Sequence, residues 1–77
     1  MILKEFYVIV NNNGEFFHID RRSGGYYPCF IDNYTSAEKY NTKEDADEFL
    51  NLHYHKLFEK EFKNVSIKKI TVIMEDI

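Results

Sequence analysis

The sequence predicts an α+β fold: a single antiparallel sheet of four or five strands with one amphipathic helix on one face, in the order β-β-β-(β)-α-β. Three observations carry that prediction. Thr42-Lys43-Glu44-Asp45 reads as a helix start, and Ala46, Phe49, Leu50, His53 and Leu57 follow at helical spacing. The segments on either side read as strand. No linker, repeat or shift in composition breaks the 77 residues, so 1–77 is expected to be one domain.

Leu3 to Val10 is a nearly continuous β-favouring run, Phe6-Tyr7-Val8-Ile9-Val10 at its centre. Such a run suits an interior strand covered on both faces. Asn11-Asn12-Asn13-Gly14 follows, and Asn-Gly offers the positive-φ residues of a tight hairpin. Glu15 to Arg21 returns as a second strand. Alternation puts Phe17 and Ile19 on one face, Phe16 and His18 on the other. Ser23-Gly24-Gly25 is the next turn, and Tyr26 to Ile31 the third strand. Pro28 cannot donate to a ladder, so that strand belongs at an edge or at a bulge.

Tyr34 to Tyr40 reads as a short strand or an irregular crossing, with Ala37 and Tyr40 pointing inward. Thr42 is the expected N-cap, with Asp45 placed for a capping-box variant. Acids at 44, 45, 47 and 48 match the positive end of the helix dipole, and Lys56, Lys60 and Lys63 match the negative end. Tyr54 and Phe58 widen the apolar face, and Asn64 is the helix stop. Val65 to Met74 is the last strand. Both terminal strands are strongly apolar, so they are expected to pair side by side in the sheet interior. One helix covers one face only, and the apolar residues left on the other call for loops, self-association or a partner.

Aromatic content is high: seven Phe and six Tyr, with no Trp, make 17% of the chain. A small core uses Phe readily, but each buried Tyr hydroxyl needs a partner. Some Tyr rings should therefore reach the surface, where Tyr is enriched in protein interfaces. The net charge of −3 argues against general nucleic-acid binding, which needs basic surface to displace counterions. A single cysteine, Cys29, excludes an internal disulfide and suits a reducing compartment. No basic-then-apolar leader stands at the start, and no apolar run nears the roughly 20 residues that span a bilayer. The expected setting is the cytoplasm.

Catalytic and metal chemistry find little support. His53 and His55 are two apart, so on a helix they diverge, and His18 has no matching ligand pair. Neither a metal nor another cofactor is expected. Cys29 follows Pro28 in a strand, without a helix N-terminus to activate it, and reads as a small buried hydrophobe. The acids of the helix start read as a solvated, dipole-matched turn, or as an acidic surface for a basic partner. Asp20-Arg21-Arg22-Ser23-Gly24-Gly25-Tyr26-Tyr27 combines forked donors, close-approach glycines and stacking rings, the parts of a nucleotide-binding loop. It also describes an ordinary hairpin turn, and no helix follows it.

Glu5-Phe6-Tyr7-Val8-Ile9-Val10 opens the chain, and Ala37-Glu38-Lys39-Tyr40-Asn41-Thr42-Lys43-Glu44-Asp45-Ala46 leads into the helix. With the Lys, Asn, Ile and Tyr richness, this pattern resembles small accessory proteins of phages and mobile elements in low-GC hosts. Inhibitors of host defence are common in that group, so the resemblance implies such a role in the host cytoplasm. It carries over no functional residue.

Two functions remain in view. The first is a non-enzymatic protein-binding module that occludes a site on a larger target. Tyr26, Tyr27 and Tyr34 would anchor it, and Glu44, Asp47 and Glu48 would steer it. The second is an oligomeric binder that sequesters a nucleotide signal, with Arg21, Arg22, Gly24 and Gly25 on phosphate and Tyr26 or Tyr27 on the base. An enzyme is not expected, because a chain this short has little room for a core and a preorganised site together.

Overall fold

Three strands, a short turn, a helix and a fourth strand follow one another in the computed structural model, which describes residues 1–21, 24–25, 27–57 and 64–77. The strands are β1 (Ile2–Val10), β2 (Phe16–Asp20), β3 (Tyr27–Ile31) and β4 (Ser66–Ile73), and the helix is α1 (Lys43–Leu57). They form one antiparallel sheet in the order β3-β2-β1-β4, curled into a half-barrel, with α1 packed on β1 and β4. The α+β architecture expected from the sequence is present.

The ladder explains several sequence features. Pro28 lies opposite Ile19 in β3, an edge strand, where a missing amide is tolerated. The first hairpin differs from the expected tight Asn-Gly form. Among the described residues only Gly14 of the Asn-Gly pair has positive φ, at 76°. The Gly14 amide donates to the Asn11 carbonyl at 3.1 Å, and the Asn11 amide to the Glu15 carbonyl at 3.0 Å. This is a turn followed by one left-handed residue rather than two. Asn11 fixes it further, because its Oδ1 accepts from the amides of Asn13 and Glu15.

β4 pairs with β1 along almost its full length, from Val10↔Ser66 to Ile2↔Ile73, with a bulge between Ile2 and Lys4. The expected pairing of the terminal strands holds. Their expected placement does not: β1 is interior, but β4 is an edge. Among the described residues, no further strand pairs with the outer side of β4. β2 meets β1 only at Val10↔Phe16 and then peels away. The gap is filled by residues 37–40. The Glu38 amide donates to the Phe17 carbonyl at 2.8 Å, and Tyr40 exchanges both backbone hydrogen bonds with Tyr7 at 2.8 and 2.9 Å. Residues 34–40 are thus a 3-10 turn (Tyr34–Ser36) and a single bridge, not a fifth strand.

Both faces of the sheet carry a core. On the helix side, Ile9 and Phe17 are fully buried, with Ile19, Phe30, Tyr40, Phe49, Leu50, Val65 and Ile67 packed around them. Phe17 sits 5.4 Å from Phe49 and 5.8 Å from Phe30, ring centre to ring centre, in tilted geometry. Away from the helix, Phe6, Val8 and Ala37 are buried beside Val10, Phe16, Ile70 and Val72. The 3-10 turn and Ala37 therefore cover part of the second face. Thr42 caps α1 as expected, its Oγ1 accepting from the Asp45 amide at 3.1 Å. Ala46, Phe49 and Leu50 turn inward, while the side chains of His53, Tyr54, His55, Lys56 and Leu57, and all of Phe58, Lys60 and Lys63, lie outside the described set. Asn64, the expected helix stop, has φ of 64°; α1 is described to Leu57, and the residues between the two lie outside the described set.

Candidate functional site

The wedge between β1 and β2 is built around one carboxylate. Glu38 Oε1 accepts from the Ile19 amide at 3.1 Å, so the side chain replaces the strand that β2 lost. Arg21 closes on the same group with both fork nitrogens, at 2.8 and 3.1 Å. Burial by itself would raise the Glu38 pKa. The hydrogen bonds from Arg21 and Ile19, with the charges of Arg21 and His18, outweigh it and hold the group below the usual carboxylate value. Burial, then the Glu38 charge, push the Tyr40 hydroxyl well above its ordinary value of 10.0.

The 3-10 turn is pinned from several sides, which fixes Tyr34. Asn33 Oδ1 accepts from the Thr35 amide and hydroxyl at 3.0 and 2.6 Å. His18 Nδ1 donates to the Ser36 carbonyl at 2.6 Å, a contact that requires the proton on Nδ1. Lys39 Nζ donates to the carbonyls of Thr35 and Ala37.

Beside this turn, on the face away from the helix, lies an open groove of about 380 Å³ lined by Phe16, Tyr34, Ile70, Thr71 and Val72. Its walls are largely apolar, and Tyr34 remains 46% exposed at its rim. Lysines border the same face. The ammonium groups of Lys4 and Lys39 stand 5.7 and 5.4 Å from the centre of the Phe6 ring. Lys68 alternates onto this side with Ile70 and Val72. The helix presents the opposite charge on the opposite face: Glu44, Asp45, Asp47 and Glu48 are all exposed there.

The residues singled out in the sequence therefore separate. Tyr34 and Tyr27 share the groove face, Tyr27 being 57% exposed at the far end of β3. Glu44, Asp47 and Glu48 lie across the sheet from them, so the tyrosines and these acids do not form one patch. Of the nucleotide-loop residues, Arg21 has its fork engaged by Glu38. Gly24 has φ of 73°, and the Tyr27 ring lies against Gly25, where an added Cβ would come within 2.8 Å of it. Arg22, Ser23 and Tyr26 lie outside the described residues. Cys29 is half-buried rather than buried as expected, because it lies on the edge strand β3, with Sγ 3.6 Å from the His18 carbonyl. Among the described residues, no group of three or more His, Cys, Asp or Glu is placed to hold a metal ion, and no helix is long and apolar enough to cross a membrane.

Sequence reasoning missed the groove and the wedge. Both depend on residues 34–40, which lack strand or helix periodicity. The one local signal was Ala37, a small residue among larger ones, where a backbone must approach the sheet closely.

Comparison with protein-family models, with curated proteins and with solved structures gave no significant match.

Proposed function

We propose that this chain is a non-enzymatic protein-binding module whose contact surface is the sheet face away from the helix. The observation that supports the reading is the groove of about 380 Å³ lined by Phe16, Tyr34, Ile70, Thr71 and Val72, on a sheet face that also carries Lys4 and Lys39 over Phe6 and Lys68 in β4. An apolar pocket with an aromatic lip accepts a single aliphatic or aromatic anchor, the usual centre of a binding hot spot. A lysine border favours a partner segment whose anchor is flanked by Asp or Glu, and speeds the encounter. The partner is thus an acidic protein surface with a protruding apolar side chain. Seating on it would cover a site on the larger protein, which is the occlusion mode that inhibitors use. That form of the function, in a host cytoplasm, accords with the resemblance to phage accessory proteins.

The anchors assigned to this role are Tyr34 and Tyr27. The helix acids Glu44, Asp47 and Glu48 take no part in it. The nucleotide reading is weaker, because Arg21 already holds Glu38.

Affinity capture from host lysate tests the proposal when three forms are compared: the parent chain, Tyr34→Glu, and a helix-face Glu44→Lys/Asp47→Lys variant. A protein held by the parent and the helix variant, and lost with Tyr34→Glu, supports the groove as the contact. A protein held equally by Tyr34→Glu and lost with the helix variant overturns it. Circular dichroism confirms that each variant is folded.

A further inference from the structure

We propose that two copies of this chain join edge to edge along β4, antiparallel, about a two-fold axis through Val72. The inference concerns the strand edge and does not rest on the groove reading.

The starting point is that β4 is an edge. An unpaired edge is a template for another strand, and lysines are a common guard against indiscriminate pairing. Lys68 and Lys69 stand in the middle of β4. At and just past its end the chain carries exposed apolar residues and then acids: Ile73 is 52% exposed and Met74 51%, followed by Glu75 and Asp76. The segment 68–76 thus reads two cations, an apolar run, and two anions.

The backbone fixes which groups face outward. Met74 and Met1 exchange both backbone hydrogen bonds, at 2.8 and 3.0 Å, so Met74 points its amide and carbonyl at β1. Tyr7 spends both of its groups on Tyr40, which makes Tyr7↔Lys69 a pair without hydrogen bonds. Lys69 therefore points its own groups outward. Alternation extends this: Lys69, Thr71 and Ile73 offer free edge groups, and Lys68, Ile70 and Val72 do not.

Two copies paired about Val72 satisfy both the backbone and the charges. Thr71 then faces the partner's Ile73, and Lys69 faces the partner's Glu75, in hydrogen-bonded pairs. Lys68 faces the partner's Asp76, Ile70 the partner's Met74, and Val72 the partner's Val72. Centring the axis on Thr71 instead would set Lys69 against Ile73 and Lys68 against Met74. Centring it on Ile70 would set Lys69 against Thr71 and Lys68 against Val72. Of these registers, the one through Val72 matches both lysines with both acids. The pattern is self-complementary, as a two-fold interface requires. The result is a continuous sheet, β3-β2-β1-β4 on each side of the axis, with Ile73 and Met74 covered.

Sedimentation over a wide concentration range, with charge reversal and crosslinking, tests the assignment. The parent chain should dimerise. Lys68→Glu/Lys69→Glu should weaken the dimer on the order of a hundredfold, since each of four symmetric cross-strand pairs turns repulsive. Adding Glu75→Lys/Asp76→Lys to that variant should return the affinity to near the parent value. In a Cys29→Ala background, Val72→Cys should form a disulfide between copies, because facing residues of a pair without hydrogen bonds lie about 4.5 Å apart at Cα. Thr71→Cys should not. A parent chain that stays monomeric at every concentration overturns the proposal. So does a dimer indifferent to the reversals, or one that crosslinks through position 71 and not 72.

Discussion

Removing the Glu38 carboxylate should destabilise the fold far more than loss of an ordinary surface ion pair. Glu38 accepts three hydrogen bonds, from the Ile19 amide and from two Arg21 nitrogens. The Arg21 side chain is 55% exposed, so losing its partner returns it to water at a cost of about 0–1 kcal/mol. The Ile19 amide is part-buried, and without an acceptor it costs about 1–3 kcal/mol. Glu38→Ala should therefore cost about 2–3 kcal/mol. Glu38→Gln keeps an oxygen for Ile19 and should cost roughly 1 kcal/mol or less. A domain of this size shifts its Tm by about 4–8 °C per kcal/mol, so the two variants should melt about 4 °C apart or more. Thermal and urea denaturation followed by circular dichroism at neutral pH measure both. Equal stability of the Ala and Gln variants, or an Ala variant within about 0.5 kcal/mol of the parent, would refute the view that Glu38 stands in for a missing strand.

Other outcomes follow from the same geometry. The depressed Glu38 pKa contributes stability that is fully present above the unfolded value near 4.5 and lost as pH falls through the folded value; acid titration of the parent should show this loss, and Glu38→Gln should lack it. The raised Tyr40 pKa works at the other end: its contribution is present below the ordinary value of 10.0 and lost as pH rises above it, so Tyr40→Phe should be the less alkali-sensitive in alkaline melts. Thr42→Ala removes the acceptor for the Asp45 amide and should cost about 1 kcal/mol by urea denaturation. Gly14→Ala meets no atom within 4 Å, so any loss comes from the left-handed backbone alone; about 1 kcal/mol is expected from the same assay.

Much of the frame is legible in the residues. Thr42 and the spacing of Ala46, Phe49 and Leu50 define α1, and Pro28 places β3 at an edge. The alternation of Phe16 with Phe17 gives the two faces of β2. What escaped was set by contacts between distant residues. β4 is as apolar as an interior strand, yet it lies at the edge because no further strand among the described residues pairs with its outer side, and residues 37–40 fill the other flank of β1, where β2 peels away. Apart from the small Ala37, nothing local in this segment announces that insertion, since it depends on Glu38 finding Ile19 and Arg21. The separation of Tyr34 from Glu44 and Asp47 escaped for the same reason. A sequence shows that both groups are exposed, but the face each occupies follows from which side of the sheet the turn and the helix take.

The central claim is that the face away from the helix is the one that touches a partner. Photo-crosslinking addresses it most directly, with a benzophenone side chain installed at position 34 on one face and at position 48 on the other. The account predicts that irradiation in host lysate joins the chain to another protein from position 34 and leaves position 48 without an adduct. Adducts from position 48 with none from position 34, or none from either, would contradict it.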